Sequence, residues 1–262
     1  MQTMWISLKE NVNCGSKHSN KVLLPGKICV KENLNKELIR RFRRSFSEVV
    51  NKGFHSPFLY SELNIGDPAR NITEIIFQRA LTNPSNQLTR KIKRVLRVKN
   101  STEVLERFEK YREKVKELAH HRQQKTHPRS TVDGNELMRF YGTTMCCCGE
   151  RSRRVSELCR DPACRVCRII QYNFDTDYTR KNGIRLSTNS EELIDKPISS
   201  FKAKIERAVI VCRIIAGTVV DRIDEVKEGC DSVSSKSHHP SSESLVVRNP
   251  SAVLPCFVIV FT

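Results

Sequence analysis

Four neighbouring cysteines, Cys147, Cys159, Cys164 and Cys167, constrain this chain more than any other feature. The gaps between them are eleven, four and two residues, and the last pair, Cys-Arg-Val-Cys, is a tight knuckle that brings two sulfurs to one ion from a single turn. Zinc takes four soft ligands in a tetrahedron, with sulfur at about 2.3 Å, and thiolates supply them without redox chemistry. The pattern points to one structural Zn2+ held by Cys147, Cys159, Cys164 and Cys167. Binding on the order of 10 kcal/mol would fasten a loop that has little apolar surface of its own. Cys146 and Cys148 flank Cys147, and either can replace it as the first ligand. An iron–sulfur cluster, which also takes four thiolates, and buried unliganded cysteines are the alternatives. A catalytic zinc is not expected, because four sulfurs leave no open position for water.

The chain has 262 residues, of which 11 are cysteine. The opening MQTMWISLKENV has a short apolar core and no small-residue cleavage site, so no secretory signal is expected and the thiols should stay reduced, in nucleus or cytoplasm. Apolar residues at 38% and charged residues at 29% describe a folded protein. The longest apolar runs, Ala208 to Val220 and Ala252 to Phe261, are interrupted by Arg213 and Pro255 and are shorter than the roughly 20 residues a membrane span needs. The net charge of +17 favours anionic partners such as nucleic acid, phosphates or an acidic membrane surface.

Residues 1–62 read as a basic, partly disordered appendage and 63–262 as the folded domain. Within the appendage, Leu38, Ile39, Phe42 and Phe46 fall at helical spacing between arginines. NITEIIFQRA predicts a strand, as does RKIKRVLRVKN. Asn100 followed by Glu103 reads as a capping box for a helix with Val104, Phe108, Tyr111, Val115 and Leu118 on one face. Residues 87–130 carry 14 Lys and Arg against 5 Asp and Glu. Arg90, Lys91, Lys93, Arg94 and Arg97 are therefore the candidate contacts for nucleic acid or a protein partner, against the plainer reading of a charged strand face. AVIVCRIIAGTVV, SLVVRN and VLPCFVIVF read as strands, and helical patterns are scarce after Glu136, which predicts an α+β domain with mainly antiparallel sheet. Cys212 and Cys256 lie in apolar strands and read as core. The pairs His120–His121 and His238–His239 read as solvated loop residues.

RVLRVKN, then a helix containing LERFEKYR, then GNELMRFYGTT resembles the ordered signature of the PARP-type ADP-ribosyltransferase catalytic domain. MWISLK, GDPARNITEIIF, DGNELMRF, LCRDPACRVCRII, AVIVCRIIAG, DSV and NPSAVLPCFVIV are similar to stretches of a plant family in which such a domain follows a two-cysteine, two-histidine zinc finger. The finger is absent here, since Phe46 to Leu63 offers His55 but no cysteine pair. The resemblance implies two packed, mainly antiparallel sheets, a few helices, a four-cysteine zinc loop and a cleft for NAD. In active members a His binds the ribose hydroxyls, the next Gly binds the nicotinamide amide, a Tyr stacks on the ring and a late Glu polarises the ribose. Here the His position is Tyr141, followed by Gly142 and Thr143. The stacking position falls at Arg185, Leu186 or Ser187, and the Glu position is Ser244, with Glu243 one residue before it. The resemblance thus implies a degenerate, non-catalytic protein acting as a nuclear binding or regulatory module. The alternatives are an NAD-dependent mono-ADP-ribosyltransferase using Glu243 and a basic nucleic-acid-binding protein.

Overall fold

Val253–Phe261 is buried at every one of its positions, which a strand sustains only when both faces of its sheet are covered. It is the ninth strand of the computed structural model, which describes residues 59–81, 90–121, 127–147, 158–159, 161, 163–190, 205–221, 230–236 and 243–262. The helix expected over 32–46, Cys14, Cys29, His55, Cys148, His238 and His239 lie outside the described residues.

The strands are β1 (Tyr60–Glu62), β2 (Ile92–Val98), β3 (Glu136–Met145), β4 (Ile184–Ser187), β5 (Glu206–Ile215), β6 (Val219–Val220), β7 (Ser232–Lys236), β8 (Glu243–Val247) and β9 (Val253–Phe261). The helices are α1 (Pro68–Arg79), α2 (Thr102–His121), α3 (Pro128–Asp133), α4 (Arg165–Tyr172) and α5 (Asp177–Asn182). The strands form one sheet in the order β1-β2-β9-β5-β3-β4-β8-β7-β6. Every neighbouring pair is antiparallel except β6 and β7. This mixed α/β, mainly antiparallel architecture departs from the expected two packed sheets. Among the described residues the nine strands form one sheet, and helices cover both of its faces. The join is narrow: β3 meets β4 through one pair, Phe140 opposite Ser187.

One face buries Phe140, Val209, Val211, Phe257 and Ile259 under Ala69, Ile76 and Phe77 of α1. The other buries Leu186, Ile210, Leu245, Val258 and Val260 beneath α2 and α4, whose contributions are Phe108, Val115, Val166, Ile169 and Ile170. Each large apolar side chain removed from water in this way stabilises by about 1.5–3 kcal/mol.

The stretch NITEIIFQRA is helix, not strand. Asp67 accepts the Ala69 N–H at 2.7 Å and Pro68 occupies the first turn, where its missing N–H costs nothing. Ala69, Thr73, Ile76, Phe77 and Ala80 then share one buried stripe. The helix expected after Asn100 is α2, but its first turn is capped by Ser101, whose Oγ accepts the Val104 N–H at 3.4 Å. Asn100 instead donates to the Pro255 carbonyl at 2.8 Å. Pro255 sits in β9 at a register shift against β5, where a strand tolerates the loss of a donor. Helices α4 and α5 fall in the region where helical patterns looked scarce, and β1 lies inside the stretch read as appendage. Cys212 and Cys256 are core, as expected. No helix among the described residues is long and apolar enough to cross a membrane.

Candidate metal centre

Strand β3 ends at the buried Met145, and Cys147 follows two residues later. Cys164 and Cys167 come from the start of α4, set by a turn in which Asp161 Oδ1 accepts the Ala163 N–H at 2.8 Å and its carbonyl accepts the Cys164 N–H at 3.1 Å. Cys164 is the N-cap of α4 and has no side-chain capping bond, so its sulfur is available elsewhere. Val166, Cys167, Ile169 and Ile170 form the buried face that holds the helix on the sheet.

The ligand atoms of Cys147, Cys159, Cys164 and Cys167 all lie within 4.8 Å of one another. Cys147 Sγ is 3.7 Å from Cys164 Sγ and 3.6 Å from Cys167 Sγ. Zinc–sulfur bonds of about 2.3 Å in a tetrahedron set sulfur–sulfur edges of about 3.8 Å. The observed edges are far too long for disulfides and need to open by only about 0.1–0.2 Å to hold such an ion. None of the four is joined in a disulfide. Two of the six edges thus match such an ion, the other four lie within 4.8 Å, and the four sulfurs could hold a metal ion together.

Its surroundings suit negatively charged sulfur. The Cys146 N–H points at Cys164 Sγ at 3.5 Å, the Cys159 N–H at Cys167 Sγ at 3.4 Å, and the Tyr60 hydroxyl donates to Cys167 Sγ at 3.7 Å. Such outer donors orient ligands and tune their basicity. The first-turn amides of α4 add a positive dipole end beside Cys164. Hydrogen bonds from Cys147 and Cys167, then from the Cys146 backbone, hold the Cys164 thiol well below the ordinary cysteine range. Cys146 behaves oppositely. Burial, then the charges of Cys164, Asp161 and Cys159, push its thiol up to about 11, and the Cys167 thiol is raised as well.

Sequence reasoning missed Tyr60, which lies 107 residues from Cys167 and carries no local signal of the contact. It also missed Arg139, a buried guanidinium that donates to the Met138 carbonyl at 3.0 Å and pairs with Glu243 at 3.5 Å. Burial draws its pKa down and Glu243 opposes that.

The residues proposed for a nucleotide cleft separate onto two faces. Phe140, Ser187 and Ser244 share one row across β3, β4 and β8, so their side chains emerge on the α1 face. Tyr141, one residue along, belongs to the opposite face and packs edge-on against Phe174 with ring centroids 5.1 Å apart. Burial raises the Tyr141 pKa, with Tyr178 adding to it. Glu243 shares the Tyr141 face and is held by Arg139, whereas Ser244 is buried and Arg185 is exposed. Thr143 Oγ1, Asn173 Oδ1 and Arg139 Nε are buried without a hydrogen-bond partner among the described residues.

The basic stretch is partly neutralised within the sheet. Lys93 pairs with Glu206 at 2.9 Å and Arg94 with Glu62 at 3.4 Å. Arg97 is half-buried, which lowers its pKa against the pull of Asp67. Arg90 is half-buried and Lys91 exposed.

No protein-family model matches this chain, and no curated protein sequence matches it.

Proposed function

We propose that this chain is a zinc-stapled, non-catalytic binding protein built on an ADP-ribosyltransferase-like sheet. The observation that carries the reading is the group of four thiols already spaced for a tetrahedral ion. Four thiolates favour zinc over harder cations, and a filled coordination shell leaves zinc no water to activate. The role of the ion is therefore structural, tying the end of β3 to the start of α4. A reduced compartment, nucleus or cytoplasm, keeps the thiols available.

The non-catalytic part of the reading is supported by the chain's own chemistry. Tyr141 and Ser244, which take the places of the reactive His and Glu, point to opposite sheet faces. The nearby carboxylate of Glu243 is engaged by Arg139. A second reading, an NAD-dependent mono-ADP-ribosyltransferase, is favoured by the unpartnered Thr143, Asn173 and Arg139 atoms on the Tyr141 side, which could receive a polar ligand.

Radiolabelled NAD and thermal-shift measurements on the metal-loaded protein separate the two. Under the first reading, millimolar NAD leaves the melting temperature unchanged and no label is incorporated. Automodification that disappears in Glu243→Gln would establish the second.

A further inference from the structure

The outward face of α4 carries Arg165, Arg168 and Tyr172, three residues at steps of three and four that form one stripe. The helix contains no Asp or Glu. Among the described residues, Arg165 and Arg168 enter no ion pair, whereas Lys93, Arg94, Arg112, Arg129, Arg139, Arg180 and Arg213 all do. Tyr172 is 49% exposed and Tyr178, at the start of α5, is 68% exposed; they are the only exposed aromatic side chains among the described residues. Lys181 on α5 is a further exposed positive residue. The positive charge of α2, by contrast, is interleaved with Glu103, Glu106, Glu109, Glu113 and Glu117.

We infer that this face binds a single-stranded nucleic acid, with Arg165 and Arg168 on phosphates and Tyr172 against a base. Guanidiniums with no ion pair among the described residues, beside exposed rings, match a polyanion whose bases are free to stack, and a duplex keeps its bases stacked on one another. From Arg165 to Tyr172 the helix rises about 10 Å, enough to track roughly three nucleotides of a strand. The surface differs from the stretch Arg90–Arg97, where Lys93 and Arg94 are occupied by Glu206 and Glu62. The inference rests on the metal reading in one respect: the ion fixes α4 through Cys164 and Cys167.

The test is fluorescence anisotropy with labelled 20-nucleotide single strands, duplexes and poly-glutamate, using full-length protein whose metal content is measured in each sample. The expected result is single-strand binding that weakens with salt. Arg165→Ala/Arg168→Ala should flatten the slope of log affinity against log salt by about 1.4, the loss of two phosphate contacts at about 0.7 each. Tyr172→Ala removes no charge and no ligand. It should cut affinity about tenfold and leave the slope unchanged. Lys110→Ala/Lys114→Ala on α2 should leave the slope near wild type. The inference is overturned if metal-loaded protein binds no strand at low salt, or if the α2 variant loses as much as the α4 variant. It is also overturned if poly-glutamate or duplex binds as tightly as the single strand, or if Tyr172→Ala binds like wild type. If the arginines serve only to balance thiolate charge, the arginine variant loses metal and Tyr172→Ala keeps full affinity. Metal-free protein that still binds refutes only the dependence of this face on the ion and leaves the nucleic-acid inference standing.

Discussion

Replacing Cys167 by Ala, with Cys146→Ala as its control, probes the metal centre most directly. The sulfur edges of 3.6 and 3.7 Å are within about 0.2 Å of those a zinc ion needs, so these two contacts cost little to reshape. Zinc present at a thousandfold over its dissociation constant then adds about 4 kcal/mol to stability. For a domain of this size each kcal/mol moves the melting temperature by about 2–4 °C, so loss of the ion lowers it by about 8–16 °C. Cys167→Ala also strips the acceptor from the Cys159 N–H and from the Tyr60 hydroxyl. Tyr60 is 1% exposed, and leaving its hydroxyl unpaired costs about 1–3 kcal/mol more. Purified wild-type protein should carry one zinc per chain by inductively coupled plasma mass spectrometry, and Cys167→Ala none, with the melting temperature falling by at least the range above. Cys146→Ala should keep the metal and melt within a few degrees of wild type. If Cys146→Ala releases the ion, or Cys167→Ala retains it at full stability, the ligand set deduced from the geometry is wrong.

Three further outcomes follow from the packing. Arg213 bonds Glu136 at 2.7 Å and lies 5.3 Å over the Phe108 ring, so Arg213→Ala should lower unfolding free energy by about 3 kcal/mol in urea titrations; a change under 0.5 kcal/mol would contradict this. Gly183 has φ +73° and a Cβ there would meet Val246 Cγ1 at 2.5 Å, so Gly183→Ala should cost about 2 kcal/mol by the same assay, and a neutral effect would show that the turn before β4 relaxes freely. Tyr111 is held above its ordinary pKa first by burial and then by Asp231, to which its hydroxyl donates at 3.3 Å. Because the folded pKa is raised, the unfolded chain loses this proton first, and stability should fall as pH climbs past about 10, by up to about 1.4 kcal/mol per pH unit for this group. Tyr111→Phe should soften that decline between pH 9 and 11, and an unchanged pH profile would exclude the assignment.

Spacing along the chain decided what spacing can decide. Four thiols separated by eleven, four and two residues were legible as one cluster, since a short loop with a Cys-Arg-Val-Cys knuckle limits where its sulfurs can go. The strands β2, β5, β8 and β9 were legible because runs of Val and Ile between turn residues have few other fates. The apolar stripe of α2 was legible up to its end, where Ala119 is buried and Leu118 is 37% exposed. The segment NITEIIFQRA misled, since adjacent Ile75 and Ile76 suit a strand; the Asp67–Pro68 start and the position of the apolar sheet face chose helix. Whether the strands form one sheet or two turned on a single pair, Phe140 with Ser187, between segments 47 residues apart in the chain. Tyr60 reaches Cys167 and Arg139 reaches Glu243 over 107 and 104 residues. Local periodicity and ligand spacing are properties of neighbours in the chain, and the sequence carries them directly. Which buried surfaces meet, and so which polar groups face one another, is a property of packing that tertiary structure alone supplies.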